Sequence, residues 1–171
     1  MHDASVTTAL IGLLAAAVYT DLRFGRIYNR LTLPCIALGM VLRTTAHGIE
    51  GLIGSFCGAA LVLVLFALFA PRVGIGGGDV KLMMAVGALT GLEFALWTML
   101  ISAVIGGIIA LVVIMRRRVV SQTVSGLAGS LYPGVPMEVA SGANQVRIPY
   151  SAAIALGTLA TFLLKRRLGL A

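Results

Sequence analysis

Two aspartates in this 171-residue chain stand where an acid needs a reason to be. Asp21 closes an apolar run in "YTDLRFGRIYNRLTLP" (19–34), and Asp79 follows a run of glycines and opens another in "RVGIGGGDVKLMMAVGALTG" (72–91). The chain has only six acids, Asp3, Asp21, Glu50, Asp79, Glu93 and Glu138, and an acid set in an apolar segment is costly enough to point to function. Two carboxyls brought together in a low-dielectric site cannot both ionise, so they share a proton and titrate as a coupled pair. The ionised member takes a proton from water while the protonated one donates to a peptide carbonyl, an acid–base hydrolysis that needs no metal, nucleophilic Ser or Cys, or cofactor. The same two acids suit proton or ion translocation, because intramembrane carboxyls also line such pathways. Each also has a plain role, Asp21 at the interfacial end of one helix and Asp79 as the N-cap of another. If they act as a pair, helix-end electrostatics favour the charged form at Asp79 and the protonated form at Asp21, making Asp79 the resting base.

The elements that must position these acids are membrane helices. The chain is 59% hydrophobic and 11% charged, against roughly a quarter charged in soluble domains. It is therefore expected to be an all-α, polytopic membrane protein forming one domain over 1–171, with the lipid bilayer as its medium. Apolar stretches of bridging length predict six helices, at about 4–21, 30–46, 51–70, 79–91, 94–115 and 149–165. The fourth, begun at Asp79, is roughly 18 Å long at 1.5 Å per residue. That falls short of a hydrocarbon core of about 30 Å, so its first residues are expected below the membrane surface. Gly74, Gly76, Gly77 and Gly78 then form an extended approach into a wet cavity, the setting in which irregular backbone survives at that depth. The N-terminus lacks a basic n-region, so the first apolar stretch is expected to be retained as a helix.

The thirteen Lys and Arg give a net charge of +7. They flank apolar runs and build no basic domain interleaved with aromatics, which excludes nucleic acid as a partner. Arg23, Arg26, Arg30, Arg72, Lys81, Arg116, Arg117, Arg118 and Arg147 fall on one side; Arg43, Lys165, Arg166 and Arg167 fall on the other. The positive-inside rule assigns the first group to the cytoplasm, with Asp21 and Asp79 on that side; the basic tail argues the other way. The Gly-, Ser- and Pro-rich stretch 119–146 reads as a cytoplasmic loop. Cys35 and Cys57 are isolated apolar thiols, and His2 and His47 assemble no metal site.

These blocks resemble the type IV prepilin peptidases, bacterial membrane aspartic proteases of the GxGD class. Gly76-Gly77-Gly78-Asp79 is GxGD as it stands, and Asp21 is followed by the second half of the signature, Ile27, Asn29, Leu31, Thr32, Leu33 and Pro34. "RIPYSAAIALGTL" (147–159) resembles the family's final span. Tyr28 departs from the pattern, which usually has Pro before the Asn; there, proline would mainly stiffen a turn.

The resemblance implies a GxGD aspartyl protease fold in the bacterial inner membrane, with Asp21 and Asp79 as the catalytic pair facing the cytoplasm and no metal or cofactor. It implies a prepilin or pseudopilin substrate with a short basic leader, cut after Gly ahead of an apolar helix. Larger members carry a cytoplasmic domain with a CxxC pair between the first two spans and methylate the new N-terminus. Only about eight residues join those spans here, so the chain looks like the peptidase-only branch that processes Flp-type (tight-adherence) prepilins. Around the acids, Gly76 and Gly78 are expected either to permit close substrate approach or simply to form a flexible turn. Lys81 is expected to steady Asp79 or to snorkel to the interface, and Asn29 to bond loop backbone near the pair or to cap the second helix. Glu138 is a candidate contact for the basic leader. A small transporter using the two acids as carriers remains the alternative, and a scaffold subunit with this fold a third.

Overall fold

The computed structural model describes residues 4–73, 76–117 and 150–167, and among them every regular element is a helix. They are α1 (Ala4–Phe24), α2 (Asn29–Val73), α3 (Gly77–Thr90), α4 (Leu92–Arg117) and α5 (Tyr150–Arg167). Three stretches, Ala4–Phe24, Asn29–Phe66 and Leu92–Val112, are long and apolar enough to cross a membrane. The expected loop 119–146 lies outside the described residues.

Two of the predicted helices are joined in α2. It is 45 residues long but broken at Gly48, whose φ of 60° and ψ of −141° are not helical. In a straight helix Arg43 and Gly51 would be about 12 Å apart along the axis. Here a Cβ on Gly51 would strike the Arg43 carbonyl, so the chain turns back at Gly48 and α2 is two arms. A residue with a side chain meets a steric penalty at such a φ, which glycine avoids.

Both arms pack on α3, the most buried element. Leu82, Met83 and every residue from Ala85 to Thr90 on α3 are buried, so this helix is enclosed on all sides. Val6, Leu10, Leu13 and Ala17 line one stripe of α1 and join Val62 and Phe66 of α2, Leu82 and Leu89 of α3, and Ile154 of α5 in one core. The closest approach is backbone to backbone: a Cβ on Gly87 would stand 2.6 Å from the Gly58 carbonyl oxygen, and one on Gly58 would strike the Gly87 carbonyl.

Polar contacts hold the far end of α3. Ser55 Oγ donates to the Ala88 carbonyl at 2.5 Å, and Arg43 Nη1 to that of Thr90 at 2.8 Å. These satisfy carbonyls near a helix end and set a cation at its negative pole. Gly91 alone links α3 to α4. Nearby, Lys165 of α5 bonds Glu93 of α4 at 2.8 Å. The C-terminus of α1 and the N-termini of α2, α3 and α5 gather at the opposite end of the bundle.

Candidate active site

At that opposite end Asp21 occupies the last turn of α1. The helix runs to Phe24, past its expected end at 21, and stops at Gly25, whose φ is 61° and whose N–H donates to the Asp21 carbonyl at 2.7 Å. This is the left-handed glycine stop of many helices, and it fixes the backbone from which the Asp21 side chain projects. Ser151, in the first turn of α5, donates its hydroxyl to Asp21 Oδ2 at 2.5 Å.

Asp79 is the third residue of α3. Gly76, with φ −66° and ψ 140°, occupies the N-cap position and makes no side-chain cap bond, so Asp79 is not the N-cap its sequence position suggested. The N–H groups of Asp79 and Val80 donate instead to the Gly76 carbonyl, at 3.0 and 3.4 Å. The carboxyl folds back over the same residue: a Cβ on Gly76 would stand 3.2 Å from Asp79 Oδ2. A Cβ on Gly78 would stand 3.1 Å from Ile27 Cβ, in the connection between α1 and α2, whereas one on Gly77 would meet nothing within 4 Å. Of the three, Gly76 and Gly78 are the positions where space is short.

The two carboxyls, 58 residues apart in sequence, lie within one another's electrostatic reach. Asp79 lies in the first turn of α3, outside the three candidate membrane spans. Burial first, and then the charge of Asp21, hold its carboxyl above the ordinary carboxylate range. A helix N-terminus favours the carboxylate by only about 0.3–1 kcal/mol at an exposed site, and here burial and the second acid outweigh it. Burial and the second acid therefore act on Asp79 against the helix-end effect, while Asp21 accepts a hydrogen bond from Ser151.

Asn29 and Lys81 find each other. Lys81 Nζ donates to Asn29 Oδ1 at 2.8 Å, tying the start of α3 to the start of α2 beside the acids. Asn29 does not cap α2, because the Tyr28 carbonyl receives the first bonds, from Leu31 N–H at 2.9 Å and Thr32 N–H at 3.3 Å. Among the described residues no group of three or more His, Cys, Asp or Glu side chains is arranged to hold a metal. Glu138 lies outside the described residues.

Two residues of this site escaped the reading of the sequence. Ser151 is buried, and Tyr150 is half-buried with its phenol within reach of the charge on Asp79. The Tyr150 ring lies over Gly106 of α4, its Cε2 2.7 Å from where a Cβ there would stand. An uncharged serine 130 residues from its partner carries no local signal; its one clue was membership in the "RIPYSAAIALGTL" block.

The sequence that builds this site resembles those of known proteins. Residues 8–111 fit the model of the type IV leader peptidase family, a range that contains Asp21, Asn29, Gly76, Gly78, Asp79 and Lys81. The chain belongs to that family. It is 34% identical over 119 residues to a prepilin leader peptidase/N-methyltransferase of Burkholderia pseudomallei strain 1026b, an alignment covering 64% of this chain and 38% of the relative. A protein of the same name from Bacillus subtilis strain 168 is 28% identical over 111 residues, covering 63% of this chain and 44% of that one. The chain therefore spans less than half the length of these leader peptidase relatives. No solved structure matches it. Family membership does not favour the transporter alternative, and α5, which brings Ser151 to Asp21, lies beyond the matched range.

Proposed function

We propose that this chain is an aspartic endopeptidase that removes the short basic leader from Flp-type prepilins by hydrolysing the peptide bond after Gly at the cytoplasmic face of the inner membrane. The observation that carries the reading is that Asp21 and Asp79, from two helices distant in sequence, lie within one another's electrostatic reach in a leader peptidase family member. In this reading the chain crosses the bilayer six times, the arms of α2 counting separately and α3 forming a short span that begins beyond its first turn, which opens on a wet cavity. Orientation is supported by Arg23, Arg26, Arg30, Arg72, Lys81, Arg116 and Arg117 at the end of the bundle that carries the two acids. The leader stays in the cytoplasm, the apolar helix that follows it lies in the bilayer, and the scissile bond reaches the depth of the two acids.

The chemistry follows from one proton shared by two acids. Ionised Asp21 takes a proton from water, and the hydroxide so formed attacks the carbonyl carbon of the glycine. Asp79 delivers its proton to the carbonyl oxygen, giving a neutral gem-diol. As the C–N bond breaks, Asp21 passes its proton to the leaving amine and a diol hydroxyl returns one to Asp79, which restores the starting pair. Such paired acid–base transfer contributes roughly 10²–10⁴-fold per group.

Only Gly25–Tyr28 separate α1 from α2, which leaves no domain between them. We accordingly propose cleavage without methyl transfer by this chain. In cells expressing a Flp-type prepilin with this chain as the sole leader peptidase, the product is expected to shift on a gel and to show by mass a free, unmethylated N-terminus one residue past Gly. An uncut prepilin would sink the peptidase reading; an N-methyl group that disappears when this chain is removed would sink the peptidase-only reading.

The glycines make a second expectation. Gly76→Ala presses on the Asp79 carboxyl and Gly78→Ala on Ile27, so both are expected to slow cleavage roughly tenfold or more, since small displacements of reacting groups carry penalties of that size. Gly77→Ala is expected to cleave near the wild-type rate. Equal losses at all three positions would mean that the run serves chain flexibility, not space around the acids.

A further inference from the structure

Asp21 has a neighbour from the far end of the chain that no part of the hydrolytic scheme uses. Ser151 is fully buried, on a helix that begins only at Tyr150, and its hydroxyl donates to Asp21 Oδ2 at 2.5 Å. Among the described residues, the other polar groups near Asp21 are engaged elsewhere. Asp79, from α3, is itself an acid; Arg23, on Asp21's own helix, turns its guanidinium to the Tyr19 hydroxyl at 3.1 Å; and Lys81 is held by Asn29 of α2. Tyr150, the other polar group α5 brings here, is within reach of Asp79.

What holds Ser151 in place is also visible. The Tyr150 ring occupies the room left by the missing side chain of Gly106, and about two turns further along α5 a Cβ on Gly157 would collide with Ser102 of α4. These two contacts seat α5 closely on α4 and so set the height and rotation of its first turn. A carboxylate on a side chain with two free torsions can take several orientations, and a single buried donor to one oxygen leaves the other oxygen directed at a fixed point.

We infer that Ser151 is a positioning residue: by donating to Asp21 Oδ2 it orients this carboxylate so that its second oxygen, Oδ1, is the one presented to the attacking water. The inference rests on the aspartic-pair reading proposed above. It assigns α5 a task in the reaction that lies outside the range matched by the family. Ser151 touches neither water nor peptide in this role and acts only through Asp21.

The test uses the full chain, purified in detergent, with a prepilin-derived peptide containing the Gly–X bond. Ser151→Ala is expected to lower kcat roughly 10- to 100-fold, the effect of losing a hydrogen bond to a charged group, with KM within about twofold of wild type. Ser151→Thr, which keeps the hydroxyl, is expected to recover most of that loss. Infrared difference spectra, with Asp21→Asn used to identify the Asp21 band, are expected to show that carboxylate stretch displaced in Ser151→Ala and restored in Ser151→Thr. Gly106→Ala leaves Ser151 intact but crowds Tyr150, and is expected to displace the same band and lower kcat; it carries the test if Ser151→Ala does not accumulate. Wild-type kcat and an unmoved band in Ser151→Ala, while Asp21→Asn is inactive, would overturn the inference alone. A loss of rate shared by Ser151→Ala and Ser151→Thr with the band unmoved would reduce Ser151 to packing. Full cleavage by Asp21→Asn would overturn the pair itself, and the inference with it.

Discussion

Asp21→Asn and Asp79→Asn are each expected to abolish leader cleavage, by roughly 10²–10⁴-fold or more, while the variant proteins still insert and accumulate in the membrane. Neither amide takes up or releases a proton in the working range, so neither half of the scheme survives the loss of its acid. The two losses should not add: the double variant is expected to be no worse than the more damaged single one, because groups that act as a unit fail as a unit. Insertion should be little disturbed, since neither carboxyl is part of the stripe that packs α1 and α3. A variant that is present in the membrane and still cleaves would remove that aspartate from the mechanism.

The same variants test which acid keeps the proton. Burial and the charge of Asp21 both raise Asp79. In Asp21→Asn the second cause is gone and the first remains, so Asp79 is expected to titrate at lower pH than in wild type but still above an ordinary carboxylate. For the wild-type enzyme the sign follows from the proposed scheme: raising the pH through the titration of the pair removes the proton that must reach the carbonyl oxygen, so the rate is expected to fall on the alkaline side. Infrared titration of the Asp79 carboxyl in the two proteins decides the matter. An Asp79 titration at the same pH in both would mean that the carboxyls are not coupled in the resting enzyme.

How much of this was written in the sequence differs from residue to residue, for physical reasons. Asp21 and Asp79 stood out because a chain that is 11% charged makes every acid in an apolar run conspicuous, and the resemblance then paired them. The glycines before Asp79 were legible as a group, but which of them is short of space depends on Ile27 and on the Asp79 carboxyl itself, and both approach in three dimensions only. The end of α1 was signalled by Gly25, yet the apolar pattern breaks earlier, at Asp21, and pattern was the stronger cue; the helix continues because its last turn is held by its own backbone bonds. Lys81 and Asn29 were each assigned a local partner, Asp79 or the interface for one, nearby backbone for the other. They bond across two helix starts, a pairing set by how α2 and α3 pack. Ser151 had no charge and no local partner to betray it, only its place in the "RIPYSAAIALGTL" block.

Gly87→Leu is expected to be the most damaging substitution away from the acids, lowering stability by about 3 kcal/mol or more, at or above the usual cost of overpacking. The reason is what the new side chain would meet. Its Cβ would stand 2.6 Å from the carbonyl oxygen and 2.8 Å from the carbonyl carbon of Gly58, and backbone in the middle of a helix cannot rotate aside as a side chain can. The second arm of α2 and α3 would have to separate, which also strains the donation from Ser55 to the Ala88 carbonyl one residue away. Gly87 is about 12 Å along α3 from Asp79, so a loss of cleavage in this variant would act through displacement of the helix that carries the acid. Gly107→Ala on α4 is the control, since a Cβ there meets nothing within 4 Å and is expected to change neither stability nor rate. Thermal unfolding in detergent, followed alongside cleavage, separates the outcomes: a wild-type midpoint in Gly87→Leu would mean that the arms of α2 do not clamp α3, whereas a lowered midpoint with lost cleavage ties the placement of Asp79 to a glycine contact remote from it.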